Sequence, residues 1–427
     1  MIRIMEYGKL PAEQIFARAT EEKSAEIEKI VYDIIEDVKA NGDAAILAYA
    51  KKFDKADLES VEVSEAEIDE AFEIIDDDFI AILEEAAANI RYFHEKQVRN
   101  SFVLNAKDGI ILGQKITPID KVGIYVPGGR AVYPSTVLMD SIPAKIAGCG
   151  EICMTTPPNA EGKINPTILI AARIAGVDRI FKTGGAQAVA GLAYGTETIP
   201  KVDKIVGPGN AFVAEAKRQV FGRVAIDMIA GPSEIMVIAD GKSDPMQVAA
   251  DMLSQAEHDP DASAVLVTDS YELAEKVSAE LERQLATLPK EAIARASIET
   301  NGKIIVAENL DDVFEVANQI APEHLELCFD DPFAYLDKVR NAGSIFMGRN
   351  CPEALGDYFA GPNHTLPTAG TARFSSPLSV DDFIKKSQFT YYTRDALEKV
   401  YKKIATFADF EELRGHGRSV EARFEEV

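Results

Sequence analysis

Residues 151–184 read EICMTTPPNAEGKINPTILIAARIAGVDRIFKTG, and this stretch decides the fold. Two short β-rich runs, EICMTTPP and RIFKTG, enclose NPTILIAARIAG, whose apolar residues fall at helical spacing. A strand, a helix and a second strand in about thirty residues make a βαβ unit. Outward from it the pattern continues. KVGIYVP (121–127), DKIVGPG (203–209), EIMVIAD (234–240) and SAVLVTDS (263–270) read as further strands, and GNAFVAEAKRQVF (209–221) as another helix. Such alternation implies parallel sheets covered by helices on both faces, so the fold class is α/β. GIILGQKI (109–116) reads as the start of the series, and the strands from 234 to about 350 as a second sheet.

The first hundred residues read as helices. Ile27, Ile30, Val31, Ile34, Ile35 and Val38 share one stripe that Gly42 ends, Ser64 and Glu67 form a capping box, and a third helix runs from about Phe79 towards Val98. His94, in that third helix between Arg91 and Lys96, reads as a partly exposed surface histidine. The tail after Pro377 reads as charged and mostly helical. The expected organisation is a helical arm (1–24), a first α/β lobe (25–120 with 234–377), a second lobe (121–233) and a C-terminal tail domain (378–427).

The 427 residues carry 45 basic and 70 acidic side chains, a net charge of −25, which argues against a nucleic-acid partner. The acidity is uneven. Residues 121–240 carry 12 basic and 10 acidic side chains and are close to neutral, whereas residues 1–100 carry 12 and 25, an excess of 13 acidic groups largely on the faces of their helices. No apolar run is long enough for a membrane span, and MIRIMEYGKLPAEQIFARAT lacks the apolar stretch of a secretory signal, so a cytoplasmic protein is expected. Cys149, Cys153, Cys328 and Cys351 lack zinc-site spacing and read as reduced core thiols.

Three strand-to-helix turns carry glycines: Val126-Pro-Gly-Gly-Arg130, Thr183-Gly-Gly-Ala-Gln187 and Val206-Gly-Pro-Gly-Asn210. None is a GxGxxG or a P-loop, and singly each reads as a tight turn; together, with amides at Gln187 and Asn210, they favour a nucleotide site. Gln255 and His258 share a face at a helix end, where His258 is either a metal ligand or a histidine favoured by the helix dipole. Glu323 and His324 open a strand and are either a structural pair or two groups that move protons. Asp357 and His364 lie on a Gly-rich stretch, and His416 between Gly415 and Gly417 suggests a backbone bent to aim its side chain. Two histidines, an aspartate and one more oxygen donor suit zinc.

The segments IYVPGG, KTGGAQAVAGLAYGT, VGPGN with AFVAEAKR, IAGPSE, LSQAEHDP, APEHLEL, LGDYFAGPNHTLPT through ARF, and RGHGRSVEAR occur in one order along nearly the whole chain. In this the sequence resembles the histidinol dehydrogenase family. The resemblance implies two Rossmann-like lobes of the aldehyde-dehydrogenase kind. It also implies an NAD-dependent, zinc-requiring homodimer that converts L-histidinol through L-histidinaldehyde to L-histidine with two NAD, closing histidine biosynthesis. Carried over by position, it assigns zinc to Gln255, His258, Asp357 and His416, and catalysis to Glu323 and His324. Substrate contacts fall to Ser233, Gln255, His258, His324, Asp357, Glu411 and His416, and NAD contacts to Tyr125, Gln187 and Asn210. Glu411 and His416 would reach the partner subunit's site. Spacing alone does not select Gln255 over Glu257 as a ligand. The alternatives are a dehydrogenase of another amino alcohol or polyol and, from another reaction class, a zinc hydrolase, which leaves the glycine turns unexplained.

Overall fold

The computed structural model describes residues 1–16, 25–128 and 132–425. The chain forms two compact units, Met1–Gln97 with Ile119–Phe383, and Val98–Pro118 with Ile384–Val427.

The larger unit holds two sheets. Across the first, the strands are Arg179–Lys182, Glu151–Thr156, Lys121–Tyr125, Lys204–Val206 and Ala225–Ile226, all parallel. Across the second they are Arg3–Glu6, Lys303–Val306, Ser263–Thr268, Glu234–Ala239, His324–Cys328 and Ser344–Met347, again all parallel. Apart from the edge strand Arg3–Glu6, both wind alike: from a central strand the chain lays two strands to one side, then crosses back to lay two on the other. Each sheet therefore has a switch point, between Lys121–Tyr125 and Lys204–Val206 in one and between Glu234–Ala239 and His324–Cys328 in the other. The α/β class expected from the sequence is the class observed.

Local chemistry explains the elements. In the 151–184 unit, Asn165 accepts a hydrogen bond from the Thr167 N–H at 3.0 Å, Pro166 occupies the first helical turn, and Gly176 at φ 82° ends the helix. Strand residues alternate between two cores. Val122, Ile124, Ile152 and Met154 pack with helices Asp77–His94, Pro134–Ala147 and Pro166–Ala175. Tyr125, Cys153, Phe181 and Ile205 face helices Ala25–Tyr49, Gly185–Tyr194 and Ala211–Val220 on the other side. Among the described residues no helix is long and apolar enough to cross a membrane.

Several expectations are corrected. The helices of residues 25–94 cover the 121–233 lobe, because their apolar stripes pack on that sheet, and do not join 234–377. Residues 3–6 are an edge strand of the second sheet, while 17–24 of the expected arm lie outside the described residues. GIILGQKI belongs to neither parallel sheet: Ile110–Pro118 pairs antiparallel with Phe102–Lys107 and with Ile384–Tyr392 in the smaller unit. The last of these is a nine-residue strand in the tail expected to be mostly helical; its β-branched and aromatic end, FTYY, finds a partner far away in sequence. His94 is fully buried, on the face of Leu83, Ala87 and Ile90. Its Nδ1 bonds Gln97 Oε1 at 2.7 Å. Three of the cysteines are buried, and Cys351 is half-buried.

Candidate functional site

The switch point of the second sheet is closed at its carboxyl edge. Arg349 spans it with bonds to both Asp240 carboxylate oxygens at 2.8 and 3.0 Å and to the Cys328 carbonyl at 2.7 Å. The titratable side chains gather at the opposite edge. Glu234 and His324 begin neighbouring strands, and helix Pro245–Ala256, running back against the sheet, brings its C-terminus there. Helix C-termini carry partial negative charge, so this edge favours a cation, whereas the helix N-termini beyond the first sheet favour an anion.

Glu323 and His324 are held by the backbone of one residue, Glu234. The Glu234 N–H donates to Glu323 Oε2 at 2.8 Å, and the Glu234 carbonyl accepts from His324 Nδ1 at 2.9 Å. His324 Nε2 has no hydrogen-bond partner among the described residues and lies 3.8 Å from Asp357 Oδ1. Ligand atoms of His324, Glu353 and Asp357 lie within 4.8 Å of one another, a spacing that can hold a metal ion. Gln255 is buried beside them, its Nε2 3.5 Å from His324 Nδ1, and its Oε1 has no partner among the described residues.

The charges are coupled. Burial lifts Glu323 to about 7, against the pull of His324 and the Glu234 N–H. Burial alone would lower His324, but the charges of Glu323 and Asp357 raise it to about 10. Asp357, which burial pushes up, is held well below the carboxylate range by His324 and His364. Burial, then Asp357, raises Glu353 to about 8. Burial lowers His258 and His364, and the nearby Asp357 partly restores both.

Glu353 is the site residue that sequence reasoning missed. Its Oε2 accepts from Ser254 Oγ at 2.8 Å, and it lies one helical turn from Asp357 in helix Glu353–Tyr358. The i,i+4 spacing of the two carboxylates was legible; their burial was not.

The histidinol dehydrogenase family model matches residues 17–424. The chain belongs to the histidinol dehydrogenase family. It is 52% identical over 427 residues to a histidinol dehydrogenase of Clostridium acetobutylicum, covering 99% of each chain. The crystal structure of histidinol dehydrogenase from Elizabethkingia anophelis superposes with a TM-score of 0.94 at 40% identity, over 99% of this chain and 98% of that one. An acetylating aldehyde dehydrogenase from Geobacillus thermoglucosidasius shares the fold, with a TM-score of 0.50 at 14% identity over 86% of this chain and 98% of that one.

In this histidinol dehydrogenase family member the other expected residues fall as follows. Tyr125 ends the central strand of the first sheet, and its hydroxyl accepts from the Gly185 N–H at 3.0 Å, tying the first glycine turn to the second. Gly129 and Arg130 of that first turn lie outside the described residues. Gln187 is buried in helix Gly185–Tyr194. Asn210 is exposed, and its Oδ1 caps helix Ala211–Val220 by accepting from the Phe212 and Val213 N–H groups, each at 3.1 Å. Ser233 is half-buried just before strand Glu234–Ala239. Glu411 and His416 are exposed in the smaller unit. His416 sits in a regular helix, Arg414–Glu421, so its glycines do not bend the backbone. Gly417 is buried because a Cβ there would come within 3.4 Å of Ala405 in the preceding helix.

Proposed function

We propose that this chain oxidises L-histidinol through L-histidinaldehyde to L-histidine with two NAD, as the last steps of histidine biosynthesis, using one zinc per subunit. The observation that carries the proposal is the convergence of the Glu323–His324 pair with Asp357 and the unpartnered Gln255 oxygen at one sheet edge. A buried carbonyl oxygen without a donor costs about 1–3 kcal/mol, which a cation there would offset. Gln255, His258 and Asp357 would hold the zinc, with His416 of the partner subunit, and this mixed nitrogen and oxygen set suits it. A zinc ion there would supply a Lewis acid that orients the substrate's amino and imidazole nitrogens, and its charge beside Asp357 would favour the neutral, basic form of His324.

The chain's own residues do the rest. The Glu234 carbonyl fixes the His324 ring through Nδ1–H, so Nε2 takes the hydroxyl proton of the alcohol. Glu323, lifted to about 7, takes a proton from water at the aldehyde stage, and Nε2, once it has passed its first proton to solvent, accepts the proton of the hydrate. NAD supplies the hydride acceptor at both stages. Tyr125, Gln187 and Asn210 would contact it at the switch point of the first sheet, whose turns are set by backbone peptides rather than by a GxGxxG loop. Ser233 and Glu411 would contact the substrate.

A homodimer, with the tail of each subunit completing the other's site, is supported by apolar side chains around Glu411. Ile404, Phe407, Phe410 and Leu413 are exposed, Phe410 at 88%. A cytoplasmic setting accords with the free cysteines. The test is the absorbance of reduced nicotinamide with zinc-replete protein, NAD and L-histidinol. Two NADH per histidinol are expected; no signal, or equal turnover of unrelated amino alcohols, refutes the assignment.

A further inference from the structure

Asp140 lies in the middle of helix Pro134–Ala147, fully buried in the first lobe, where an apolar residue would be the ordinary occupant. Its Oδ1 accepts from Thr365 Oγ1 at 2.6 Å. Its Oδ2, without a hydrogen-bond partner among the described residues, lies 3.2 Å from the point where a Cβ on Gly207 would stand. Gly207 opens the third glycine turn and is clamped on every side. Its N–H donates to Asp227 Oδ2 at 2.8 Å, its carbonyl accepts from Lys217 Nζ at 2.9 Å, and a Cβ would fall 2.1 Å from the Tyr125 carbonyl oxygen. With φ at 116°, the position suits glycine alone.

Thr365 follows His364 directly, at the end of the segment that begins with Asp357. That segment is fastened to the first lobe and its covering helices. Asn89 Nδ2 donates to the Phe359 carbonyl at 2.9 Å, Asn363 Nδ2 to the Met139 carbonyl at 2.6 Å, and the Thr365 N–H to Asn363 Oδ1 at 2.8 Å. The substrate-side segment thus bonds one oxygen of a buried carboxyl group whose other oxygen lies beside the dinucleotide turn. Burial lifts that group to about 8, so the carboxyl is a neutral contact rather than a second counter-ion for Lys217.

We propose that Thr365 is a positioning residue: through Asp140 it sets the Asp357–His364 segment at a fixed distance from the 207–210 turn, so that substrate and dinucleotide are held in register. The proposal rests on the dehydrogenase reading above and deepens it. A hydroxyl whose loss shifts both sites has a signature that a merely structural bond lacks, since a substitution beside the substrate is then felt in NAD binding as well.

The experiment is calorimetric titration of the full-length enzyme with NAD, together with KM for histidinol, kcat and Tm, for wild type, Thr365→Val, Thr365→Ala and Thr365→Ser. Val and Ala are expected to weaken NAD binding and raise the histidinol KM by about fivefold each, with a smaller change in kcat, while Ser stays within about twofold of wild type. Ala leaves out the branched methyl, so it reads the link even if Val does not fold. Constants within about twofold of wild type in a Val or Ala variant whose Tm has fallen would make the bond merely structural and overturn the link. So would a Ser variant as impaired as Val. Wild-type protein that binds no NAD would instead overturn the dehydrogenase reading and the link with it.

Discussion

Replacing Lys217 with methionine keeps most of the side-chain volume and removes one charge of a pair that water scarcely reaches. The Lys217 side chain is 2% exposed and that of Asp227 1%, and the two form an ion pair behind the third glycine turn. Lys217 also donates to the Gly207 carbonyl at 2.9 Å. The variant therefore strands a carboxylate and a carbonyl in the interior. Breaking a buried pair from one side costs about 3–5 kcal/mol. At roughly 2–4 °C per kcal/mol for a lobe of this size, Tm should fall by about 6–20 °C. A second change, Asp227→Asn, removes the stranded charge and keeps an oxygen for the Gly207 N–H, leaving only the carbonyl without a donor at about 1–3 kcal/mol. The double variant should thus be more stable than Lys217→Met alone. Scanning calorimetry and urea titration of the two variants and wild type measure both steps. A Lys217→Met loss below about 1 kcal/mol, or a double variant less stable than the single, would refute the claim that the charge of Asp227 is satisfied by Lys217.

Four further outcomes are expected. Glu323→Gln should leave the first oxidation near its normal rate and slow the water-dependent second by about 10²–10⁴-fold, read as one NADH per site in single turnover; equal loss of both steps would count against its role. Gln255→Leu should bind zinc at least about tenfold more weakly in chelator competition, yet be no less stable than wild type when both are metal-free, because the orphan oxygen is gone. Asp140, raised to about 8 by burial, keeps its proton in the folded state, so its contribution to stability is complete below about pH 4 and is lost as pH rises through about 8. The Tm of Asp140→Asn relative to wild type should accordingly rise between pH 5 and pH 8.5, and a constant difference would show that Asp140 is not neutral. Protein truncated before Glu411 should be inactive, and mixing it with a His258→Asn variant should restore part of the activity; no restoration would leave each site self-contained.

Much of the fold was legible because the evidence for a parallel strand is local. EICMTTPP, RIFKTG and their neighbours carry β-branched runs with turn residues at their ends, and the strands formed where these runs lie. The tail strand Ile384–Tyr392 was not legible. Its partner, Ile110–Pro118, lies more than 260 residues away, and IKKSQFTYY has four polar residues in its first five. His94 was misread for a related reason: its neighbours Glu95 and Lys96 are exposed, while its own face joins Leu83, Ala87 and Ile90. The spacing to those residues was available; that Gln97 would be placed to accept from the ring was not.

The site divides in the same way. By itself the sequence supplied the residue types, the family motifs in order, and the placement of Glu323–His324 at a strand start and of Gln255–His258 at a helix end. Strand polarity and helix direction follow from the chain, so those placements needed no coordinates. Tertiary structure alone decided at which edge of the second sheet the candidate residues gather, with Arg349 bridging the carboxyl edge through partners at 240 and 328. It alone showed that Gln255 Oε1 is left without a donor, that Glu353 joins Asp357 and His324, and that Asp140 stands between Thr365 and Gly207. Each of these is a matter of burial and of partners brought together from distant parts of the chain. In water a carboxyl, an amide or an imidazole is always satisfied, and only when packing removes the water does it matter which group stands beside it.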